Sequence, residues 1–234
     1  MFNRSGLVCL SLIGLSALGC SKETTSSNNI KTGGIAALID VYADTDTKAV
    51  VHVKLVVGGS SSNTYVDLEG QDKLVATADD QTKTLSVVDT GIYEATFSGV
   101  GEDTAFTVTL DRPEDTTASD NSGDLPAPFS LDKPTEDLSR KDDALDVSWA
   151  PDSSDKMNLD FDGDCIFSYD KDVSDTGAYT VKAGVLESTG KDAETCDIDL
   201  LATRTRSGSA DSKFDKESYF RLHQRRKVSF TSNP

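Results

Sequence analysis

Histidine is nearly missing from this sequence. His52 and His223 are the only two in 234 residues, and Trp149 is the only tryptophan. Acid–base chemistry near neutral pH and zinc ligation both lean on histidine. No G-x-S-x-G elbow, H-E-x-x-H zinc helix or glycine-rich phosphate loop occurs either. These gaps predict a protein that is not an enzyme and holds no cofactor. Acidic pairs do not rescue an enzymatic reading, because 40 Asp and Glu make such pairs unavoidable. Positive charge is scarce too. The 23 Lys and Arg leave a net charge of −17, which predicts no nucleic-acid partner and repulsion from anionic lipid headgroups. Aromatics make up 7% of the chain, too few to favour a carbohydrate site built by stacking. Long apolar runs are missing as well. The longest, Leu7 to Leu18, falls short of the roughly twenty residues that span a bilayer as a helix.

That short run has a secretory layout. Arg4 precedes it, and Leu15-Ser16-Ala17-Leu18-Gly19-Cys20 closes it. The segment resembles a bacterial lipoprotein signal peptide, with Ala17 where the family prefers Leu. The resemblance implies removal of residues 1–19 and lipidation of Cys20 with palmitate-type acyl chains. The membrane then becomes a partner through the N-terminal lipid, since stable anchoring takes more than one chain. Ser21, rather than Asp, resembles the outer-membrane class of a Gram-negative envelope. An ordinary secretory signal ending near a cysteine is the alternative.

Of four cysteines, Cys9 leaves with the signal and Cys20 takes the lipid. Cys165 and Cys196 remain, an even pair in an exported chain, and predict a disulfide. The loop it closes predicts about 3–4 kcal/mol of stabilisation.

Residues 20–33 are polar and rich in Ser, Thr and Asn, which predicts a flexible tether. From Gly34 the apolar residues alternate with period two. Ile35, Ala37, Ile39 and Val41 share one face; Val51, Val53, Leu55 and Val57 share another. Leu74, Ala76, Ala78, Tyr93, Phe97, Phe106, Val108 and Leu110 extend the pattern. Turn signals between these runs predict about seven short strands over residues 34–112, a β-sandwich. Residues 113–128 hold Pro113, Pro126 and Pro128 among acids and read as a linker. Residues 129–234 then form a second sandwich. Leu145, Val147 and Trp149 point inward there, Asp162-Gly163 reads as a hairpin turn, and a last strand runs from Tyr219 to Thr231. Trp149 is a core anchor on this reading, with a ligand platform as the alternative.

Asp89-Thr90-Gly91-Ile92-Tyr93 resembles the D-x-G-x-Y corner of immunoglobulin-type domains, whose tyrosine bonds back to the backbone. Asp175-Thr176-Gly177-Ala178-Tyr179 repeats it. The fold class that follows is all-β: two tandem immunoglobulin-like β-sandwich domains after a signal peptide and tether.

Two stretches stand out as candidate sites. Asp160, Asp162 and Asp164 alternate around a glycine as in calcium loops; the alternative is a solvated strand face. Arg221, His223, Arg225 and Lys227 share a face of the last strand, with Arg204 and Arg206 placed nearby. They read either as a docking stripe for anionic glycan or lipid, or as partners of the excess carboxylates. The functional expectation is a lipid-anchored cell-envelope protein with a structural or interaction role. Its partner would be an envelope protein or a glycan. The alternative is a surface glycan- or adhesin-type binding module.

Overall fold

The computed structural model describes residues 22–134, 137–152, 155–190 and 195–234. The signal segment and Cys20 lie outside the described residues. The chain is all-β. In order its strands are β1 (Glu23–Ser26), β2 (Ile35–Thr45), β3 (Lys48–Val57), β4 (Thr64–Asp67), β5 (Lys73–Ala78) and β6 (Gln81–Thr84). Next come β7 (Ser86–Asp89), β8 (Ile92–Ser98), β9 (Ala105–Asp111), β10 (Ala118–Asp124), β11 (Leu138–Ser139) and β12 (Leu145–Ser148). The last are β13 (Lys156–Asp162), β14 (Tyr169–Ser174), β15 (Ala178–Val181), β16 (Cys196–Ser207) and β17 (Tyr219–Asn233).

One sheet runs through the whole molecule in the order β1-β4-β3-β2-β17-β16-β13-β14, with β8 and then β7 also paired outward from β3. Its spine is β17, at 15 residues the longest of these strands. The first half of β17 pairs in parallel with β2, Tyr219 opposite Leu38 and Gln224 opposite Ala43. Nearly all of it pairs antiparallel with β16, from Arg221 opposite Ser207 to Ser232 opposite Cys196. Two smaller sheets cover the same side. β10-β9-β5-β6 lies over the N-terminal half and β12-β15 over the C-terminal half.

Burial of alternate side chains makes this layering. Ile35, Ala37, Ile39 and Val41 of β2 and Val51, Val53 and Leu55 of β3 meet Leu74, Ala76, Phe106, Val108 and Leu110 of the covering sheet. Phe220 and Leu222 of β17 join this first core. A second core gathers Met157, Leu159 and Phe161 of β13 and Ile198, Leu200 and Ala202 of β16. Leu145, Val147, Trp149 and Val181 close it from above. Period two is what places each set on one face. Trp149 is buried and donates its ring N–H to Asp175 at 2.7 Å, so it is a core anchor.

The tyrosine corner forms at Tyr93. Its hydroxyl donates to the Val66 carbonyl at 3.1 Å and accepts from the Leu68 amide at 2.8 Å. Gly91 sits there at φ +61, where a Cβ would meet the Tyr65 side chain at 2.7 Å. The second copy of the motif is used differently. Tyr179 hydrogen-bonds Tyr169, which together with burial pushes the Tyr169 phenol up to about 12. Asp175 is drawn into the core.

Three expectations change. The tether is folded over its described part. β1 pairs in parallel with β4, Glu23 opposite Thr64, and 3-10 turns follow at Ser27–Asn29 and Thr32–Gly34. Buried Arg112 holds these turns, donating to the Ser27 carbonyl at 2.6 Å, Thr32 Oγ1 at 3.1 Å, Asp115 at 3.0 Å and Asp72 at 2.9 Å. Polar docking of this kind has no apolar period to announce it.

The linker is the second change. Its residues 118–124 form β10, the edge of the covering sheet, with a bulge between Ala118 and Asn121. Asn121 is buried; it donates to the Val108 carbonyl at 2.8 Å and accepts from the Asp211 amide at 2.8 Å. β10 also crosses close to the turn after β16. A Cβ on Gly208 would stand 2.3 Å from the Ser122 carbonyl oxygen, so only glycine fits. Residues 125–129 then cross between the two cores. The carbonyls of Leu125, Pro126 and Ala127 accept from Arg206, Gln224 and Arg204. Prolines lack the N–H for a ladder, so side chains reading carbonyls replace strand pairing.

The third change is the Asp162-Gly163 turn. The connection between β13 and β14 takes residues 163–168 and carries Cys165, so it is not a two-residue hairpin.

Carboxylates pin these added segments and set an acid limit. Burial pushes the Asp211 carboxyl up. The Lys213 and Asp120 amides, with the Lys213 charge, more than reverse this and hold it low. Asp115 behaves alike: burial raises it, and the Thr32 and Thr116 amides, Lys31 and Arg112 lower it further. A carboxyl depressed in the fold binds its proton more readily when unfolded. Its stabilisation is full above the unfolded value near 3.8 and is lost as pH falls through the folded one. Acid titration should therefore destabilise the fold below about pH 4, and Asp211→Asn should flatten that dependence in urea melts taken at successive pH values.

Candidate interaction surface

The uncovered face of the large sheet carries the polar row of β17. Arg221, His223, Arg225 and Lys227 point to this side, as their alternation requires. Arg204 and Arg206 do not join them. They share parity with Ala202 and lie on the covered face, where Arg204 is buried against Asp175 and Arg206 pairs with Asp103 and Asp155.

Most of the stripe is paired with carboxylates. Arg225 reaches Asp44 with two hydrogen bonds of 2.7 and 2.9 Å. Lys227 meets Asp199 at 2.7 Å, and neighbouring Arg226 meets Asp46. His223 shares Nε2 with Asp40 at 2.9 Å and Nδ1 with Thr205 Oγ1 at 2.9 Å. Tyr219 donates to the other Asp40 oxygen at 3.1 Å. Arg221 differs: it is exposed, shows no carboxylate partner among the described residues, and stacks over the Tyr219 ring at 3.9 Å. Tyr42 lies between the Arg225 guanidinium, 4.2 Å away, and the His223 ring, stacked at 4.9 Å. Burial, then the Asp40 charge, pushes both Tyr42 and Tyr219 up to about 12, so both phenols remain donors.

The two histidines that the sequence assigns to separate domains thus flank one tyrosine. His52 packs edge-on to Tyr42 at 6.3 Å and bonds Glu94 at 2.8 Å. The parallel pairing of β2 with β17 brings them together, and no local pattern reveals it. Thr205, His223 and Asp40 have the residue types of a nucleophile, base and orienting acid. Thr205 lies mid-strand, however, opposite both His223 of β17 and Lys156 of β13. Strands thus flank Thr205 on both sides.

The three acids of the candidate calcium loop are spread over β13 and the connection that follows it. Asp160 and Asp162 occupy an extended strand, on the same face of it. Asp164 follows in the connection. Among the described residues no group of three or more His, Cys, Asp or Glu is placed to hold a metal. Burial, then Asp162 and Asp170, raises the Asp160 carboxyl.

Cys165 and Cys196 are bonded, with Cα atoms 6.1 Å apart and a sequence separation of 31. The bond ties the connection after β13 to the start of β16, at the edge of the second core. Cys165→Ser with Cys196→Ser should lower stability by about 3–4 kcal/mol in urea unfolding. The shared β17 makes one cooperative transition the expected form, with both cores moving together.

No family model matches the chain, and no curated protein matches it. Among solved structures it is similar to a mutant of Salmonella alpha-2-macroglobulin, with 12% identity and TM-score 0.27, covering 84% of this chain and 15% of that one. The methylamine-reacted form of that protein gives 13% identity and TM-score 0.25 at the same coverage. The I9-I11 tandem from titin gives 8% identity and TM-score 0.24, covering 85% of this chain and 97% of that one. The chain thus spans a small part of the macroglobulin's length, and likenesses at these scores carry no functional inference.

No helix among the described residues is long and apolar enough to cross a membrane.

Proposed function

We propose that this chain is a lipid-anchored protein of the cell envelope, probing a partner with the uncovered face of its large sheet and catalysing nothing. The observation that carries the interaction role is the packed group of Tyr42, Tyr219, Arg221 and Arg225. Arginine and tyrosine are the residue types that dominate protein interfaces, and here they are held rigid by stacking and by Asp40 and Asp44. Arg221 is an exposed cation of this face with no carboxylate partner among the described residues, in a chain of net charge −17. It favours an acidic group on an envelope protein. An anionic glycan is the second reading, supported by the same arginine.

Anchoring rests on the lipoprotein-like Leu15 to Cys20 segment. Fractionation of cells carrying wild-type and Cys20→Ser protein tests it. The wild type should pellet with membranes in high salt, and the variant should appear soluble and folded. For the partner, in-cell crosslinking of the anchored protein should yield an adduct that Arg221→Ala with Tyr219→Ala removes. An adduct unchanged by that double substitution places the interaction elsewhere.

A further inference from the structure

Three large apolar side chains stand exposed among the described residues. Phe167 is isolated at the far edge of the sheet, but Val87 and Val88 are adjacent, 66% and 54% exposed. They sit on β7, an edge strand with all four residues exposed. The strand also bulges between Val87 and Asp89, which leaves Val88 without a ladder partner.

The neighbours of these valines come from the start of the chain. Lys22 forms an ion pair with Asp89, the residue after Val88. The same Lys22 ammonium lies 5.2 Å from the Tyr65 ring, and Lys54 approaches that ring at 5.2 Å as well. Cys20 precedes Lys22 by two residues, so their Cα atoms are at most roughly 7 Å apart. With β1 zipped to β4 from Glu23 onward, only the two residues before Lys22 separate the attachment point from this corner. A short aliphatic pair, a tyrosine and two lysines are the composition of a surface at the headgroup level of a bilayer.

We propose that this corner, Val87 and Val88 with Tyr65, Lys22 and Lys54, rests in the lipid headgroup region and fixes the orientation of the folded body on the membrane. The proposal rests on the lipid-anchor reading of Cys20. The occupant is the bilayer to which Cys20 is attached. The acyl chains hold the protein down, and the valines add a second contact that resists rotation about the anchor. The face carrying Arg221 and Tyr219 is then presented at a fixed angle.

The test uses the acylated full-length protein in phosphatidylcholine vesicles. Val88→Cys is labelled with an environment-sensitive fluorophore, and Phe167→Cys is labelled as the control. The disulfide and the lipid thioether leave the new thiol alone in each variant. The label at position 88 should shift to the blue and lose intensity to quenchers carried on lipids near the headgroups, while the label at 167 should do neither. Vesicle-bound protein whose label at 88 behaves like that at 167 overturns the corner and spares the anchor. Protein that fails to float with vesicles overturns both. A blue shift that appears without lipid and grows with protein concentration, in Cys20→Ser protein, assigns β7 to pairing with a second copy and likewise overturns the proposal.

Discussion

Replacing Arg204 by methionine should cost about 3–5 kcal/mol of stability. Arg204 is 1% exposed and lies where the two apolar cores meet. It pairs with Asp175 at 2.8 Å and donates to the carbonyls of Ala127 and Ala150 at 2.8 and 2.6 Å. Its guanidinium also stacks over Phe129 at 4.8 Å. Methionine keeps much of the volume but leaves a buried carboxylate without its cation and two carbonyls without donors. Trp149 and the Asp152 amide still reach Asp175, yet neither supplies a charge. Urea unfolding measures the loss. Asp175→Asn placed on top of Arg204→Met should recover part of it, since the uncompensated charge is gone. A loss below about 1 kcal/mol in the single variant would mean that the site repacks around water.

This node sits at the seam between the two cores. The covered face of β17 is apolar at Phe220 and Leu222, polar at Gln224 and Arg226, and apolar again at Phe230. Arg204 and Arg206 mark the same break on β16. The sheet is thus continuous while its apolar face is interrupted, and the segment 125–129 fills the interruption by offering carbonyls. Two cores and one backbone ladder follow from the same strand.

The apolar half of this plan is legible from residue order. Ile35 to Val41, Val51 to Leu55 and Leu145 to Trp149 each state their buried face by alternation. Tyr93 and the Cys165–Cys196 bond also follow from local or compositional signals. The polar half is not legible. β10 and the 3-10 turns after β1 contain no apolar period, because Ser27, Thr32 and Asn121 are buried by hydrogen bonding rather than by transfer from water. Nor does any sequence feature announce that β17 joins β2 at a sequence separation of 181, a pairing set by topology. The candidate surface inherits that difficulty. Asp40, Tyr42 and His52 meet across the β2–β3 hairpin, but His223 and Arg225 reach them only through the β2–β17 pairing, and the alternation of Arg221 to Lys227 is the one part a reader of the sequence finds.

Arg112→Met should release the N-terminal segment and lower global stability by about 3–5 kcal/mol. Arg112 and Asp72 are both nearly buried, with side chains 4% and 5% exposed. The guanidinium spends its donors on Asp72, Asp115, Thr32 and the Ser27 carbonyl, so one side chain ties β9 to both 3-10 turns. Without it, Asp72 stays buried next to a second carboxylate. The segment then keeps the short β1–β4 pairing, the bonds of Thr32 to Asp115 and Thr116, those of Ser26 and Ser27 to Glu69, and the contact of Ile30 with the first core. Hydrogen exchange separates the local effect from the global one. Amides between Glu23 and Ile35 should lose protection by a larger factor than those of β16 and β17, because the segment opens without unfolding the sheet. Equal losses along the chain would show that the turns are part of the cooperative core, not docked upon it.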